Sequence, residues 1–224
     1  MEEKKSIVIV GGGKNIDYSF LSEADQIMCV NSHFLRQGLN PNFIFYSGKT
    51  KLKEVIDYIN NQSSVCHTFF INFPLDVNKI YEKDERIELI NSINPLITVV
   101  RFNHFQFFGA NPVHPEYEWS NIFSKKLKTL PLSGALALKY VTRGIFSKIY
   151  VTGFDLYSQD DFSIPYQIGS HKLEPHLEWF NEVKNTDSRV VFDEHFLKVL
   201  ELGYISEYKV FFSGNQRFVF LKND

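Results

Sequence analysis

The chain has 224 residues, of which 44% are hydrophobic and 22% charged, and this composition fits one globular domain without a second complete one. The formal net charge of -2 gives no overall attraction to nucleic acid or to an anionic bilayer, so an anion site has to be built locally. Cys29 and Cys66 lie in apolar runs without metal-ligand spacing, which indicates buried thiols in a reducing compartment. No window reaches membrane-spanning length and no secretory signal is present, so we expect a cytoplasmic protein.

The first predicted strand is the β-branched run Ser6–Val10, and it leads directly into Gly11, Gly12 and Gly13. Glycines after a first strand let the backbone approach a ligand closely, and such turns hold phosphate or nucleotide in many α/β proteins. The letters GGGKN match neither GxGxxG nor a P-loop, which disfavours dinucleotide and Walker-type ligands. A simple turn is the alternative interpretation.

The next two predicted strands, Asp25–Asn31 and Asn42–Tyr46, also end in small or polar residues, Asn31 and Ser47. The Asn31 amide can both donate to and accept from a base or a ribose. Its alternative role is an Asx-turn or a helix cap. The recurrence of such residues after three consecutive strands favours a shared ligand-binding edge.

The pattern between the third strand and residue 128 is less regular. Lys51–Asn61 has the apolar spacing of a surface helix, and Val65–Asn72 is typical of a buried strand. Within 73–128 the sequence predicts a helix over Glu85–Ile93 and a strand over Ile97–Phe102. The aromatic stretch FQFFGANPVHPEYEW predicts an irregular lid or insertion, whose rings either stack on sugars or form a satellite core.

The most informative stretch of the chain runs from a loop through an apolar helix into a buried strand. Ser133, followed by Gly134, is predicted to cap this helix and to leave its first amides free for an anionic group. The strand Lys148–Thr152 follows, and Asp155 and Tyr157 project from its carboxyl end. A helix cap and a plain strand-to-loop exit are the alternative interpretation.

The remaining sequence continues the alternation of helices and strands. It predicts a helix over Glu178–Lys184, a strand over Arg189–Phe192, a helix over Glu194–Leu202 and a closing hairpin within Lys209–Leu221. The fold class expected from this order is α/β: a Rossmann-like, mostly parallel sheet flanked by helices, forming one domain over 1–224.

Four motifs, VIVGGGKNIDY, CVNSHF, FIFYSG and LSGALALKYVTRGIFSKIYVTGFDLY, together resemble glycosyltransferase family forty-two. This family contains bacterial sialyltransferases that use CMP-sialic acid. The resemblance implies an inverting transfer of sialic acid to a sugar hydroxyl of a bacterial surface glycan, as in lipooligosaccharide biosynthesis, without a metal or another cofactor. The implied partners are a nucleotide-sugar donor and an oligosaccharide acceptor. Homo-oligomers and peripheral association with the inner face of the membrane are also consistent with it.

The resemblance also implies individual donor contacts. The glycine turn 11–13 would follow the donor phosphate and ribose, and Asn31 would contact the nucleotide. Ser133 and Gly134 would hold the sialic acid and phosphate region, and Tyr157 would lie near the cytidine or the leaving phosphate.

Two positions depart from the family pattern, because Gly12 and Ser47 stand where the family usually has asparagine. Both changes shorten polar reach, which leaves open a different CMP-activated acid sugar, such as Kdo, or a protein acceptor. A non-catalytic nucleotide-binding protein is a further alternative. A Rossmann dehydrogenase or methyltransferase is disfavoured, since GxGxxG is absent and Asn31 replaces an acidic ribose contact.

The catalytic base that the resemblance implies is a histidine in the loop after the GFDLY motif. His171 fits this place best, and His176 is the second candidate, with Glu174 or Glu178 to orient the acting imidazole. An imidazole suits the role because it titrates near working pH. Tyr166 is the nearest tyrosine that could stabilise the departing phosphate. The alternative is that both histidines are ordinary surface residues before a helix.

Overall fold

The computed structural model describes most of the chain with gaps, over residues 5–47, 51–62, 65–72, 85–102, 123, 126–127, 131–155, 173–202, 208–213 and 216–221. Nine strands lie in this part of the chain: β1 Ser6–Val10, β2 Gln26–Val30, β3 Phe43–Tyr46, β4 Thr68–Asn72, β5 Thr98–Phe102, β6 Lys148–Thr152, β7 Val190–Phe192, β8 Tyr208–Ser213 and β9 Gln216–Leu221. The helices with defined bounds are α1 Tyr18–Glu23, α2 Phe34–Gln37, α3 Leu52–Asn61, α4 Glu85–Asn91, α5 Ser133–Thr142, α6 Leu173–Thr186 and α7 Glu194–Leu202.

Seven strands form one sheet in the order β5-β4-β3-β2-β1-β6-β7, and every neighbouring pair is parallel. Strands β8 and β9 form a separate antiparallel pair. The chain moves outwards from β1 to β5, then returns to place β6 on the other side of β1. This arrangement confirms the predicted Rossmann-like α/β class, and it puts the topological switch point between β1 and β6.

The sheet has an apolar layer on each face. Residues of β1 alternate between them, with Ile7 and Ile9 in the cluster that contains α5, α6 and α7, and with Val8 and Val10 in the cluster that contains α3. Because both faces are covered, the strand is a continuous apolar run rather than an alternating one, as is typical of parallel sheets. The same reason makes β1 easy to identify from sequence.

Helix α5 is apolar around most of its circumference and packs against β1, β2, β3 and β6. Four consecutive residues, Ala135 to Leu138, are fully buried. Since α5 precedes β6 and runs antiparallel to it, the first residues of the helix lie at the carboxyl edge of the sheet. No helix in the described part of the chain is both long and apolar enough to cross a membrane.

Two local predictions need correction. Helix α6 begins at Leu173 rather than Glu178, because Pro175 falls within its first turn, where proline is tolerated. Ser133 is the first residue of α5 and not its N-cap, a position that Leu132 occupies. The helix and the strand predicted within 73–128 are confirmed as α4 and the edge strand β5, whereas the aromatic stretch FQFFGANPVHPEYEW lies outside the described residues.

Both cysteines are predicted to be unreactive in the native protein. Cys29 and Cys66 are free thiols that are at most 1% exposed, and burial raises the pKa of Cys66 to about 11 and that of Cys29 further. Because the thiolate is the reactive form, native protein should not react with Ellman's reagent, whereas protein in guanidinium should show two thiols per chain. Rapid labelling of native protein would contradict this burial.

Candidate functional site

The site lies at the carboxyl ends of β1 and β6, where the sheet order reverses. Two backbone hydrogen bonds of 2.8 Å join the segments that follow these strands: Gly11 N–H donates to Thr152 O, and Gly13 N–H donates to Gly153 O. Gly153 has a φ of +70°, a conformation that glycine adopts without a steric penalty. The predicted glycine turn is therefore fastened along the exit of β6, at the position where open α/β sheets bind ligands.

The turn has no room for side chains towards the protein. An ideal Cβ at Gly13 would overlap the carboxylate of Asp155, and one at Gly12 would lie 2.6 Å from the ring of His33. Gly12 itself is exposed and Gly13 is half-buried. The glycines thus let two polar side chains approach the turn while its backbone stays accessible from the other side.

Asn31 connects the ends of β2 and β3. Its φ of +59° is left-handed, which asparagine tolerates better than most residues. Its Oδ1 accepts hydrogen bonds from Ser47 N–H at 3.0 Å and from Ser47 Oγ at 3.4 Å. Among the residues that the structure describes, none is recorded as accepting a hydrogen bond from Asn31 Nδ2, so that amide group can serve a ligand.

Ser47 also links β3 to the start of α5, because its hydroxyl is in direct contact with that of Ser133. The first hydrogen bond within α5 runs from Leu136 N–H to Leu132 O at 3.0 Å. The amides of the preceding helical residues therefore have no partner inside the helix. Such amides and the positive end of the helix dipole favour an anionic group.

Phe154 positions the start of α5 against β6. Its ring would be 2.7 Å from an ideal Cβ on Gly134, so glycine is required for this approach. The ring is 6% exposed and packs edge-on against Phe180 and Phe196. The aromatic cluster therefore sets the height of the α5 N-terminus above the sheet.

His176 lies beneath this helix start and is fully buried in α6. Its Nε2 accepts a hydrogen bond of 2.9 Å from Leu132 N–H, the residue that precedes α5. This contact supports the position of Ser133 and Gly134. This burial overturns the alternative of an ordinary surface residue for His176, and its catalytic role stays a prediction.

Replacing His176 with leucine is expected to lower the free energy of unfolding by about 1–3 kcal/mol, because the Leu132 N–H would lose its acceptor in a poorly solvated place. His176→Gln keeps an acceptor and should lose less. Urea unfolding followed by circular dichroism measures both changes. Equal stability of the leucine variant and wild type would contradict a supporting role.

Asp155 is the buried carboxylate of the site, at 7% exposure. Its Oδ2 accepts a 2.9 Å hydrogen bond from Lys14 N–H, and its Oδ1 lies 3.1 Å from His195 Nε2. Burial raises the pKa of Asp155 above its usual range, and the charge of His195 opposes this rise. Folding therefore favours the protonated form of Asp155. Its contribution to stability is fully present below the pKa of the unfolded state, and it decreases as the pH rises through the pKa of the folded state.

His33 approaches the same turn at Gly12. Its Nδ1 lies 3.3 Å from Arg36 Nη2. Burial, and then the charges of Arg36 and Lys51, lower the pKa of His33, so the imidazole is neutral at neutral pH. The neutral ring adds no charge beside the turn, and the Arg36 guanidinium is the positive group in contact with it.

The structure brings most of the predicted binding residues to this one edge of the sheet. They are Gly11, Gly12, Gly13, Asn31, Ser47, Ser133, Gly134 and Asp155. Three further predicted residues, Tyr157, Tyr166 and His171, lie outside the described residues. No group of three or more histidine, cysteine, aspartate or glutamate side chains in the described ranges could hold a metal ion.

Sequence reasoning missed two residues of this edge, His33 and His195. A signal for each was present, since both follow predicted strands closely, in CVNSHF and VVFDEHF. Neither was given a role in the site, since His33 only follows Asn31 after the second predicted strand and His195 lies within the predicted helix Glu194–Leu202. What distinguishes them is contact with Gly12 and with Asp155, which only the tertiary fold establishes.

The parallel sheet and the polar edge at its switch point define a Rossmann-like α/β protein. No family model matches the chain, and a search of curated proteins finds no match. Among solved structures, the chain is similar to the sialyltransferase CstII from Campylobacter jejuni, determined in complex with a substrate analogue, CMP-3FNeuAc. The TM-score is 0.54 at 14% sequence identity, over 98% of this chain and 91% of that one. This similarity establishes a shared fold.

Proposed function

We propose that this protein is an inverting, metal-independent glycosyltransferase that moves sialic acid from CMP-sialic acid to a sugar hydroxyl of a bacterial surface glycan. The observation that carries the proposal is the convergence of the glycine turn, Asn31 and the start of α5 at the switch point. The fold similarity supports it, because the similar structure is a sialyltransferase that was determined with a CMP-sugar analogue.

The donor site follows from the chemistry of each group. The exposed backbone at Gly12 can lie along the phosphate and ribose, since no side chain separates them. The amides at the start of α5, which have no partner inside the helix, and the Ser133 hydroxyl suit the carboxylate or phosphate of the donor. Asn31 Nδ2 suits an acceptor atom of the nucleotide.

The reaction forms a bond between the acceptor oxygen and the anomeric carbon and breaks the bond from that carbon to a CMP phosphate oxygen. The acceptor hydroxyl gives its proton to a general base, and we assign this role to His171. Tyr166 and Tyr157 are assigned to the departing phosphate, where hydroxyl donors stabilise developing negative charge. CMP is a good leaving group, so the proposal includes no metal ion.

The shared hydroxyl contact of Ser47 and Ser133 favours one second candidate. The Ser47 hydroxyl already contacts Asn31 Oδ1 and the Ser133 hydroxyl. Because serine is also shorter than asparagine, its side chain extends less far towards a donor. A transferase for another CMP-activated acid sugar, such as Kdo, accommodates that difference. In either case we propose action at the cytoplasmic face of the membrane, with a homo-oligomer as the expected assembly.

A transfer assay tests the proposal directly. Purified protein is incubated with CMP-sialic acid and lactose in EDTA, and both CMP release and sialyl-lactose are measured, with CMP-Kdo as a parallel donor. We expect release of CMP from CMP-sialic acid in the presence of EDTA. Turnover of CMP-Kdo alone would favour the second candidate, and the absence of turnover with either donor, despite CMP binding, would favour a non-catalytic nucleotide-binding protein.

A further inference from the structure

His195 joins three segments that are distant in the sequence. Its Nε2 lies 3.1 Å from Asp155 Oδ1, at the exit of β6, and 3.1 Å from Asn15 Nδ2, directly after the glycine turn. The His195 side chain is 32% exposed, whereas that of Asp155 is 7% exposed. The imidazole thus covers a buried carboxylate at the rim of the candidate site.

Rigid elements determine where His195 lies. It is the second residue of α7, and Asp193, just before this helix, caps it by accepting a 2.6 Å hydrogen bond from Phe196 N–H. The other carboxylate oxygen of Asp193 accepts from Gly153 N–H at 3.3 Å. The start of α7 is therefore attached to the exit of β6, and His195 is presented towards Asp155.

The contact between His195 and Asp155 is important because Asp155 also binds the backbone that follows the glycine turn. Its Oδ2 fixes Lys14 N–H at 2.9 Å, so this carboxylate sets the course of the chain as it leaves the glycine turn. Its Oδ1 is fully buried and accepts no hydrogen bond of good geometry from the described residues. The protonated His195 ring, 3.1 Å away, compensates the charge of that oxygen, and its removal would leave a buried carboxylate oxygen uncompensated.

We propose that His195 is a positioning residue that, through Asp155 and Asn15, holds the glycine turn in the conformation that accepts the donor phosphate. This inference rests on the proposed function for the identity of the ligand. Nε2 accepts from Asn15 Nδ2 when it carries no proton and pairs with Asp155 Oδ1 when it carries one, so in either state it contacts the segments around the turn and not the acceptor hydroxyl. Loss of the contacts of His195 with Asp155 and Asn15 should weaken donor binding and raise KM while leaving kcat nearly unchanged.

The test compares His195→Phe, which keeps a ring but has no N–H, with His195→Gln, which keeps a donor near the position of Nε2. Hydrogen–deuterium exchange of the peptide that spans residues 11–17 is measured without ligand, and CMP affinity is then measured by calorimetry. For the phenylalanine variant we expect at least about tenfold faster exchange at Gly13 and Lys14 and at least about tenfold weaker CMP binding. The glutamine variant should stay within about threefold of wild type in both.

The matched control is His67→Phe, the same substitution at an exposed histidine directly before β4. It should leave exchange in 11–17 and CMP affinity unchanged. Unchanged exchange in His195→Phe, or unchanged CMP affinity despite faster exchange, would overturn the inference. If the wild-type protein does not bind CMP but exchange is faster in His195→Phe, the proposed function is contradicted. The role of His195 in holding the glycine turn would still be supported.

Discussion

Replacing Gly13 with alanine should weaken CMP binding by at least about 100-fold and lower the free energy of unfolding by about 1–3 kcal/mol. The added Cβ would overlap the Asp155 carboxylate, which is buried and holds Lys14 N–H. The carboxylate cannot retreat without breaking that bond, so the turn has to move away from β6. Calorimetric titration with CMP and urea unfolding measure the two effects.

Gly38→Ala is the matched control for this substitution. Gly38 has a φ of +66°, so alanine should cost about 1 kcal/mol there, but no atom of the described residues beyond its chain neighbours lies within 4 Å of the added Cβ. CMP affinity should therefore stay at the wild-type value. A Gly13→Ala protein that binds CMP as tightly as the Gly38→Ala protein would refute the assignment of the glycine turn to the donor site.

Replacing His171 with alanine should lower kcat for sialyl transfer by about 10²–10⁴-fold, the usual contribution of a general base. The Kd for CMP should change by less than about twofold, because the proposed role of His171 concerns the acceptor proton. Initial rates at saturating CMP-sialic acid, together with calorimetry, separate the two quantities. The pH dependence of the remaining rate should lose its ascending limb near the titration range of histidine.

His67→Ala serves as the control for loss of an imidazole. The His67 side chain is exposed and directly precedes β4, so it lies at the amino edge of the sheet, opposite the candidate site. This variant should retain wild-type kcat. If His171→Ala is equally active, the base is a different group, and the assignment that rests on the family resemblance is wrong.

The sheet was largely predictable from sequence because buried parallel strands have a local signature. Ser6–Val10 and Lys148–Thr152 are apolar on both faces, and each is followed by glycine, so their bounds agree with β1 and β6. The polar residues at strand ends were predictable for a similar reason, since parallel strands place all their carboxyl ends at one edge. The strand order was not predictable, because pairing between distant strands leaves no local pattern.

The side chains that support the site depend on contacts between remote segments. His176 lies 44 positions from Leu132, whose N–H donates a hydrogen bond to it, and the predicted helix began only at Glu178 and left His176 out. His195 lies within a predicted helix and was given no role, since its partner Asp155 is 40 positions away. Asp155 was predicted as a ligand contact, whereas its described partners are protein groups, Lys14 N–H and His195.

The most direct test of the central proposal is thermal stabilisation of the purified protein by CMP, UDP, NAD and S-adenosylmethionine in parallel. A ligand that binds only the folded state raises the melting temperature, by an amount that grows with its concentration relative to Kd. We predict a shift with CMP that exceeds those of the other three and that is absent in Gly13→Ala. A shift with NAD or S-adenosylmethionine in the absence of one with CMP would contradict the proposal, and the similarity to a sialyltransferase would then be one of architecture alone.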